Sequence, residues 1–300
     1  MTNSAPTPST GDRPWRSWLY VPGDRPDRIE KAIAGDADCV IIDLEDAVSP
    51  ANKDAARTNA LACLANDPDT PILVRVNASG TAWQRDDLAA LANSPHHRRL
   101  QGIRVPKAEN PAQIVAIAQQ VPHIPLHLLI ESALGLQASD ELATAHPDVG
   151  TIALGEADLR ADLAITDETH LAYARGRIVA SAAAARLPAP PQSVFTDIDN
   201  DDELRASSMR AKAAGFFGRT VIHPRQVTIV NEVFLPTVAE VDQARALVDA
   251  LRESEKTDNT SALVLPDGRF VDPAVAAGAQ RILDIADAYG TAGQPTKGAM

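Results

Sequence analysis

The chain has few of the residues that covalent cross-links and thiol chemistry require. Two cysteines, Cys39 and Cys63, occur among 300 residues, so the sequence cannot form the disulfide framework that holds small secreted domains together. Cys39 lies inside an apolar segment, where a small buried residue is expected. We therefore predict that both cysteines are reduced packing residues and that neither is a nucleophile.

Long apolar segments and covalent-catalysis motifs are also missing. No apolar run approaches the roughly 20 residues that span a bilayer. Residues 1–14, rich in Ser, Thr, Pro and Gly, lack the basic start and apolar centre of a signal peptide, which predicts a disordered leader and a cytoplasmic protein. The sequence has no nucleophile elbow and no G-x-x-x-x-G-K-[ST] phosphate loop. Nucleophilic covalent catalysis is therefore not supported.

Positive charge is in deficit, because 28 Lys and Arg residues oppose 40 Asp and Glu residues and give a net charge of −12. This excess disfavours nucleic acids and anionic membranes as partners. Any anionic ligand must be held by a local basic cluster. The 45% of hydrophobic residues is sufficient for one large core.

Eight short apolar segments alternate with longer helical segments across residues 15–235. Such alternation is typical of βα units around a parallel sheet, and eight consecutive units predict a closed (β/α)₈ TIM barrel. The seventh segment has the weakest strand pattern. The predicted strands are Trp18–Pro22, Cys39–Leu44, Ile72–Asn77, Gly102–Pro106, Leu126–Glu131, Thr151–Gly155, Ser193–Thr196 and Arg219–His223.

Helical segments separate these strands, and several have Asp, Asn or Ser near the start and Pro in the first turn, as helix starts do. The predicted helices are Asp24–Ala34, Ala51–Ala65, Gln84–Leu91, Pro111–Gln120, Leu136–Thr144, Glu168–Arg186, Asp201–Ala214 and Arg225–Phe234.

After residue 235 the alternation stops, and residues 236–300 are predicted to form a C-terminal helical extension. This extension is too short for a core of its own, so we expect it to pack on the barrel or on a neighbouring subunit. Its predicted segments are a helix at about Thr237–Glu255, a polar stretch to Gly268, the short segment Phe270–Asp272 and a helix to about Tyr289.

Polar residues follow most of the predicted strands. Active sites of (β/α)₈ barrels lie at the carboxyl ends of the strands, so these residues are candidates for chemistry. The densest group ends the second strand, where an apolar run leads into three acids within four positions. The candidates are Tyr20, the acids Asp43, Glu45 and Asp46, then Arg75, Lys107, Glu131, Glu156, Asp158 and His223.

Two carboxylates, Glu131 and Asp158, end adjacent strands. A carboxylate pair with room for water and substrate oxygens is what Mg²⁺ prefers, although each acid could instead cap a helix or pair with a base. Arg75 offers a planar fork to a substrate carboxylate, and a salt bridge to Glu45 or Asp46 fits equally well.

One pair of histidines, His123 and His127, has the four-residue spacing of metal ligands on a helix. Pro122 and Pro125 preclude a regular helix there. We therefore do not predict a metal site at this pair.

Seven motifs occur in a fixed order along the chain, and together they are far more specific than any one alone. From about Arg16 to Tyr289 the sequence resembles the citrate lyase β-subunit-like family of the HpcH/HpaI aldolase superfamily, which includes malyl-CoA and citramalyl-CoA lyases. The motifs are Arg16-Ser17-x-Leu19-Tyr20-Val21-Pro22-Gly23, Asp43-Leu-Glu-Asp-Ala-Val48, Val74-Arg-Val-Asn77, Val105-Pro-Lys107, Ile130-Glu-Ser132, Gly155-x-x-Asp158-Leu and Ile222-His-Pro-x-Gln226.

The resemblance implies a Mg²⁺-dependent enzyme, with Mn²⁺ as an alternative ion, that forms a homotrimer or a dimer of trimers. By motif, Glu131 and Asp158 are the implied metal ligands, with Glu131 also beside the substrate, and Arg75 faces the substrate carboxylate and carbonyl. The resemblance further implies that Tyr20, Arg25 and Lys31 line the entrance for coenzyme A, and that Glu45 and Asp46 hold metal-bound water.

A weaker match lies in the C-terminal extension. The stretch Gly268-Arg-Phe-Val-Asp272-Pro273 resembles a segment that brings a catalytic Asp over the barrel of a neighbouring subunit. The alternative is a turn and helix cap, in which Asp272 precedes Pro273 at the first helical position.

The expected reaction is cleavage or formation of a carbon–carbon bond in a 3-hydroxyacyl-CoA thioester, which gives an acyl-CoA and a 2-oxo acid. Malyl, methylmalyl, citramalyl and citryl substrates are not distinguished, because one methylene contributes only about 1–3 kcal/mol of discrimination. Three alternatives stay open: an acyl-CoA thioesterase, a metal-dependent 2-oxo acid aldolase without CoA, and a citrate lyase β subunit that depends on an acyl-carrier protein.

Overall fold

The computed structural model describes residues 13–257, 262–264, 268 and 270–290. The chain separates into two compact units: the first contains Trp15–Phe234, and the second contains the described residues from Leu235 onward together with Arg13 and Pro14. Most of the predicted leader, residues 1–12, lies outside the described residues.

The first unit is built on a parallel sheet of seven strands in the order β6-β5-β4-β3-β2-β1-β7. All five residues of β2 and of β5 are buried, as expected for strands covered on both faces. This confirms the predicted parallel α/β architecture. The strands are β1 Ser17–Pro22, β2 Cys39–Asp43, β3 Ile72–Arg75, β4 Leu100–Val105, β5 Leu126–Ile130, β6 Val149–Leu154 and β7 Arg219–Val221.

The predicted seventh strand, Ser193–Thr196, is wrong, because no strand forms at these residues. Within the described residues, this part of the chain meets the sheet through one isolated parallel bridge, Gln192 to Arg219. Pro188, Pro190 and Pro191 lie just before it, and proline cannot donate a ladder hydrogen bond. No described strand joins β6 to β7, so the sheet does not form the predicted closed eight-stranded barrel.

Side chains connect this segment to the end of β6 instead. Gln192 Nε2 donates to Glu156 Oε1 (3.1 Å), and the backbone N–H of Glu156 donates to Ser193 Oγ (3.2 Å). Arg175 binds the same Glu156 carboxylate through two hydrogen bonds of 2.8 and 2.7 Å. Glu156, a candidate for chemistry in the sequence, is therefore part of this structural network.

Alternate residues of each strand point to opposite faces of the sheet. The larger hydrophobic cluster, which includes Leu19, Val40 and Ile42, packs against the helices. A smaller cluster of Trp18, Cys39, Ile41 and Leu73 lies on the other side, with Trp15 and Tyr20 packed against it. We call this side the Trp18 face.

The helices follow the predicted alternation closely. The predicted helix Pro111–Gln120 is observed with the same bounds, whereas the predicted Leu136–Thr144 helix is two short helices and Glu156–Asp162 is a helix that the sequence pattern did not show. The helices of the first unit are α1 Pro26–Ile33, α2 Lys53–Ala65, α3 Gln84–Ala92, α4 Pro111–Gln120, α5 Ala133–Gln137, α6 Ser139–Ala143, α7 Glu156–Asp162, α8 Ala172–Ala184, α9 Asp201–Ala213 and α10 Pro224–Val233.

The second unit contains two helices, α11 Val238–Thr257 and α12 Pro273–Ala288, and a short antiparallel pair, β8 Leu263–Val264 and β9 Phe270–Val271. Ala244 and Val248 of α11 pack with Ala279 of α12. This confirms that the C-terminal region is helical. No helix among the described residues has the length and apolarity needed to cross a membrane.

Candidate active site at the strand ends

The carboxyl ends of β2 and β3 are joined by an ion pair between Asp43 and Arg75, which are register partners in the sheet. Arg75 Nε and Nη2 each lie 2.7 Å from one oxygen of Asp43. Asp43 also accepts hydrogen bonds from the backbone N–H groups of Glu45 (2.9 Å) and Ala47 (3.0 Å). Asp43, and not a substrate, therefore occupies the planar fork that we expected to receive a substrate carboxylate.

Glu45 bridges two cations above this pair. Its Oε2 lies 3.1 Å from Arg75 Nη1, and its Oε1 lies 2.9 Å from Lys107 Nζ. Burial raises the pKa of Glu45, while Arg75 and Lys107 oppose that rise. Asp46 is more exposed and more distant, 3.9 Å from Arg75. The ion pair to Glu45, which the sequence left open, is therefore present, and the role of Glu45 and Asp46 toward metal-bound water stays a prediction.

Tyr20, the fourth residue of β1, lies beside the same arginine. Its ring centroid is 4.8 Å from the Arg75 guanidinium carbon, a separation at which a cation is attracted to the ring. Burial raises the pKa of the Tyr20 phenol, and Arg104 and Arg75 oppose that rise. Tyr20 is therefore a neutral wall of the site, and its expected contact with coenzyme A stays a prediction.

Glu131 is a buried carboxylate with one neutral partner. Its Oε2 accepts a hydrogen bond from the backbone N–H of Lys107 (2.8 Å). Lys107 has a φ of +50°, a left-handed conformation that is rare for a side chain of this size. The pKa of Glu131 is raised to about 7, chiefly by burial and also by the charges of Glu45 and Asp158, while the Lys107 N–H and the charge of Arg75 oppose the rise.

Asp158 lies in the first turn of α7, close enough to contribute to the raised pKa of Glu131. It is exposed. A nearby cation would stabilise the charged form of both Glu131 and Asp158. The effect would be largest for Glu131, because burial and acidic neighbours raise its pKa. Mg²⁺ is commonly held by one or two carboxylates with water or substrate oxygens as its other ligands. Glu131 and Asp158 fit such an ion, whereas no group of three or more His, Cys, Asp or Glu side chains among the described residues could hold a metal.

None of the described hydrogen bonds or ion pairs joins Arg25, Lys31 or His223, the other candidate residues of the first unit, to this cluster. Arg25 is half-exposed and pairs with Asp27, with two nitrogen–oxygen distances of 3.0 Å, and Lys31 is exposed on α1. His223 caps α10 by accepting from the backbone N–H of Arg225 (3.2 Å). Asp272 belongs to the second unit, where it caps α12 by accepting from Val275 N–H (2.9 Å).

Sequence reasoning gave no role to Lys53, which holds the loop after β2. Its ammonium donates 2.7 Å hydrogen bonds to the backbone carbonyls of Leu44 and Glu45 and lies 5.3 Å from the Trp83 ring centroid. Burial lowers the pKa of Lys53, and the surrounding acids oppose this. A lysine at the start of a helix normally suggests a solvated side chain, so the sequence contained no signal for this contact.

These features define a parallel α/β protein with a carboxylate-rich, cation-compatible site at the carboxyl ends of its strands. The HpcH/HpaI aldolase/citrate lyase family model matches residues 16–224, and the chain belongs to this family. The resemblance inferred from the motifs is thereby confirmed.

Similar proteins include both hydrolases and lyases. The chain is 36% identical over 264 residues to a (3S)-malyl-CoA thioesterase of Cereibacter sphaeroides, with 86% of this chain and 90% of the relative covered. It is 31% identical to an L-malyl-CoA/beta-methylmalyl-CoA lyase of Rhodobacter capsulatus, with the same coverage. A crystal structure of CitE from Mycobacterium tuberculosis in complex with magnesium, acetoacetate and coenzyme A matches with a TM-score of 0.75 and 31% identity, covering 91% of this chain and 98% of that one.

Proposed function

We propose that this chain is a magnesium-dependent carbon–carbon lyase that cleaves a 3-hydroxyacyl-CoA thioester of the malyl type into an acyl-CoA and a 2-oxo acid. The observation that supports it most directly is the buried Glu131 carboxylate, whose pKa is raised to about 7, with Asp158 nearby. The similarity to a malyl-CoA lyase and to CitE with bound magnesium and coenzyme A supports the same reaction.

Glu131 and Asp158 would hold the ion. The chemistry that Mg²⁺ supplies in such a site is Lewis-acid polarisation of substrate oxygens. The Lys107 N–H holds Glu131 in position through its hydrogen bond to Oε2. Since this donor is a backbone group, it stays fixed whichever substrate enters.

Arg75 stabilises the negative charge that develops on the substrate oxygens as the carbon–carbon bond breaks. Asp43 fixes its Nε–Nη2 edge, and Tyr20 packs against the guanidinium. The guanidinium is therefore held before the substrate arrives, which lowers the cost of reorganising it during the reaction.

Asp272 moves the proton. In cleavage, the 3-hydroxyl loses its proton to water as its oxygen becomes the carbonyl of the 2-oxo acid, and the electron pair of the broken carbon–carbon bond passes to the thioester enolate. The enolate carbon then takes a proton from the protonated carboxyl of Asp272. In condensation, Asp272 removes that proton. As part of the same proposal, Asp272 acts on a neighbouring subunit of a homotrimer, and Arg25 and Lys31 bind coenzyme A at the entrance.

The decisive experiment is a panel of malyl-, methylmalyl-, citramalyl- and citryl-CoA, assayed with Mg²⁺ and with EDTA, in which the 2-oxo acid and free CoA are measured separately. We expect Mg²⁺-dependent formation of a 2-oxo acid by the isolated chain. Full activity in EDTA would contradict the metal role. Activity only with an acyl-carrier protein would instead identify a citrate lyase β subunit, and cleavage of free 2-oxo acids would identify an aldolase.

Metal binding can be tested without turnover. Calorimetric titration should show Mg²⁺ binding to the wild-type chain and at least a 10-fold weaker affinity for Glu131→Gln. Glu141→Gln, which changes an exposed acid of α6, is the matched control and should bind Mg²⁺ as the wild type does. Equal affinity in both variants would contradict the assignment.

A thioesterase is the second candidate, because the identity to the named (3S)-malyl-CoA thioesterase is 36% and that to the lyase is 31%. Hydrolysis breaks the carbon–sulfur bond and releases the intact hydroxy acid and CoA, so malate and free CoA accumulate in equal amounts without glyoxylate. The same panel distinguishes the two reactions.

A further inference from the structure

A buried cation, Arg104, lies on the Trp18 face and forms no ion pair with the described residues. Arg104 of β4 is 1% exposed, and its Nε and Nη1 make no hydrogen bond with the described residues. No carboxylate oxygen of a described Asp or Glu lies within 4 Å of an Arg104 nitrogen, the limit for an ion pair. Asp43 and Glu45 already form ion pairs with Arg75, the register partner of Arg104.

The Arg104 guanidinium keeps its positive charge, because arginine is not deprotonated in proteins. The phenol of Tyr20 and the thiol of Cys39 lie near Arg104, and burial raises the pKa of both, so both stay neutral. Two carboxylates follow strands on the same face, but Asp43 is paired with Arg75 and Glu131 accepts from the Lys107 N–H. Burying a charge without a partner is costly compared with the net stability of a domain. A compensating negative charge is therefore expected next to Arg104.

The groups around the guanidinium are polar but uncharged. The Arg104 guanidinium carbon lies 5.7 Å from the Trp18 ring centroid, and the His127 ring centroid lies 5.5 Å from that of Trp18. Thr220, the register partner of Trp18 on β7, is buried, and its Oγ1 makes no hydrogen bond among the described residues. Two donors of Arg104, which lies beside the Trp18 ring, and the hydroxyl of Thr220, the neighbour of Trp18 in the sheet, thus have no hydrogen-bond partner among the described residues.

Gly102 leaves the space that the His127 ring occupies. A Cβ on Gly102 would lie 2.4 Å from Cδ2 and Nε2 of His127, so only glycine leaves room for the imidazole. Burial and the charge of Arg104 lower the pKa of His127 to about 3, with the Gln101 backbone opposing. His127 is therefore neutral and can donate a hydrogen bond without adding a second positive charge.

We propose that the Trp18 face carries a binding site for a small monoanion of halide size, with Arg104 as its cationic ligand and Thr220 and His127 as neutral donors. Water alone would satisfy the hydrogen bonds but leave the charge of Arg104 uncompensated. The anion takes no part in the proposed lyase steps, and it would balance the charge of Arg104 beside Arg75, its register partner, and Tyr20.

The first test uses the wild-type chain crystallised in sodium bromide, with anomalous diffraction at the bromine edge. We expect a peak in contact with Arg104 Nε or Nη1. Absence of a peak there, with only water density in its place, would overturn the proposal.

The second test measures thermal unfolding in chloride and in gluconate at equal ionic strength. We expect chloride to raise the melting temperature of the wild type by several degrees, because a ligand that binds the folded state stabilises it. Arg104→Met should lose this dependence. Arg219→Met is the matched control: Arg219 is also buried, but it donates to Ser193 O, Ser207 Oγ and Ser208 Oγ, so its variant should keep the chloride dependence.

Equal chloride dependence in wild type and Arg104→Met would contradict the assignment, as would no dependence in the wild type. If Arg104→Met does not fold, the bromide measurement on the wild type decides the question alone.

Discussion

Gly155 and Glu131 occupy adjoining space at the ends of β6 and β5. A Cβ on residue 155 would lie 2.4 Å from Glu131 Cγ and 2.5 Å from its Oε1, distances that real atoms do not adopt. The glycine is required here by this close approach, since its φ of −95° is open to any residue.

Gly155→Ala should therefore displace the Glu131 carboxylate and weaken Mg²⁺ binding and kcat by 10-fold or more, as misplacement of a reacting group by about 1 Å does. Gly176→Ala is the control, because a Cβ there meets nothing within 4 Å, and alanine inside α8 should stabilise the protein by about 0.5–1 kcal/mol. Calorimetry and steady-state kinetics on both variants provide the measurement. Unchanged Mg²⁺ affinity in Gly155→Ala would show that Glu131 does not bind the ion.

Asp43→Asn should reduce kcat by at least about 10-fold while Arg75 stays in the sequence, because a neutral amide cannot hold the guanidinium through two charge-assisted bonds. KM for the thioester should change less than kcat if Arg75 acts mainly on charge that develops in the reaction. Asp86→Asn, which changes an exposed acid of α3, is the control and should retain most of the activity. Equal losses in the two variants would count against a positioning role for Asp43.

Lys53→Met should destabilise the first unit by about 2–5 kcal/mol, because it leaves the carbonyls of Leu44 and Glu45 without their buried donor. Lys31→Met, at an exposed position of α1, provides the surface control and should lie within about 0.5 kcal/mol of the wild type. Urea denaturation gives both values. Similar stability of the two variants would mean that water replaces the ammonium.

His127 should make the protein sensitive to acid. Its pKa is lowered to about 3 in the folded state, whereas an unfolded histidine titrates near 6.5. Between these two pH values the unfolded chain therefore binds more protons than the folded protein. The stability that depends on a neutral His127 is fully present above about pH 6.5 and is lost as the pH falls toward 3.

As the pH falls from 6.5 to 4.5, the free energy of unfolding of the wild type should therefore decrease by about 2–3 kcal/mol more than that of His127→Gln. Urea denaturation at several pH values checks this, with His170→Gln at an exposed histidine as background. A pH-independent difference for His127→Gln would show that the imidazole is accessible to protons in the folded protein.

Much of the fold could be predicted from local pattern. The segments that became β1 to β6 are mostly apolar and buried, so their positions could be predicted from short apolar runs in the sequence. The segment Ser193–Thr196 was predicted wrongly because its few apolar residues resemble a strand, while the prolines before it prevent a ladder. Helix α7 was missed because its seven residues, Glu156–Asp162, are too few to show a helical period.

At the site, the sequence determined which residue types stand at the strand ends, because strand alternation and the parallel arrangement bring those positions to one edge of the sheet. It thereby predicted that Glu131, Arg75 and the acids after β2 would be neighbours. Only the tertiary structure decided which group pairs with which. Asp43 and Arg75 are 32 residues apart, and their pairing depends on register. The burial that raises the pKa of Glu131 and isolates the charge of Arg104 depends on packing from many segments, which no local pattern contains.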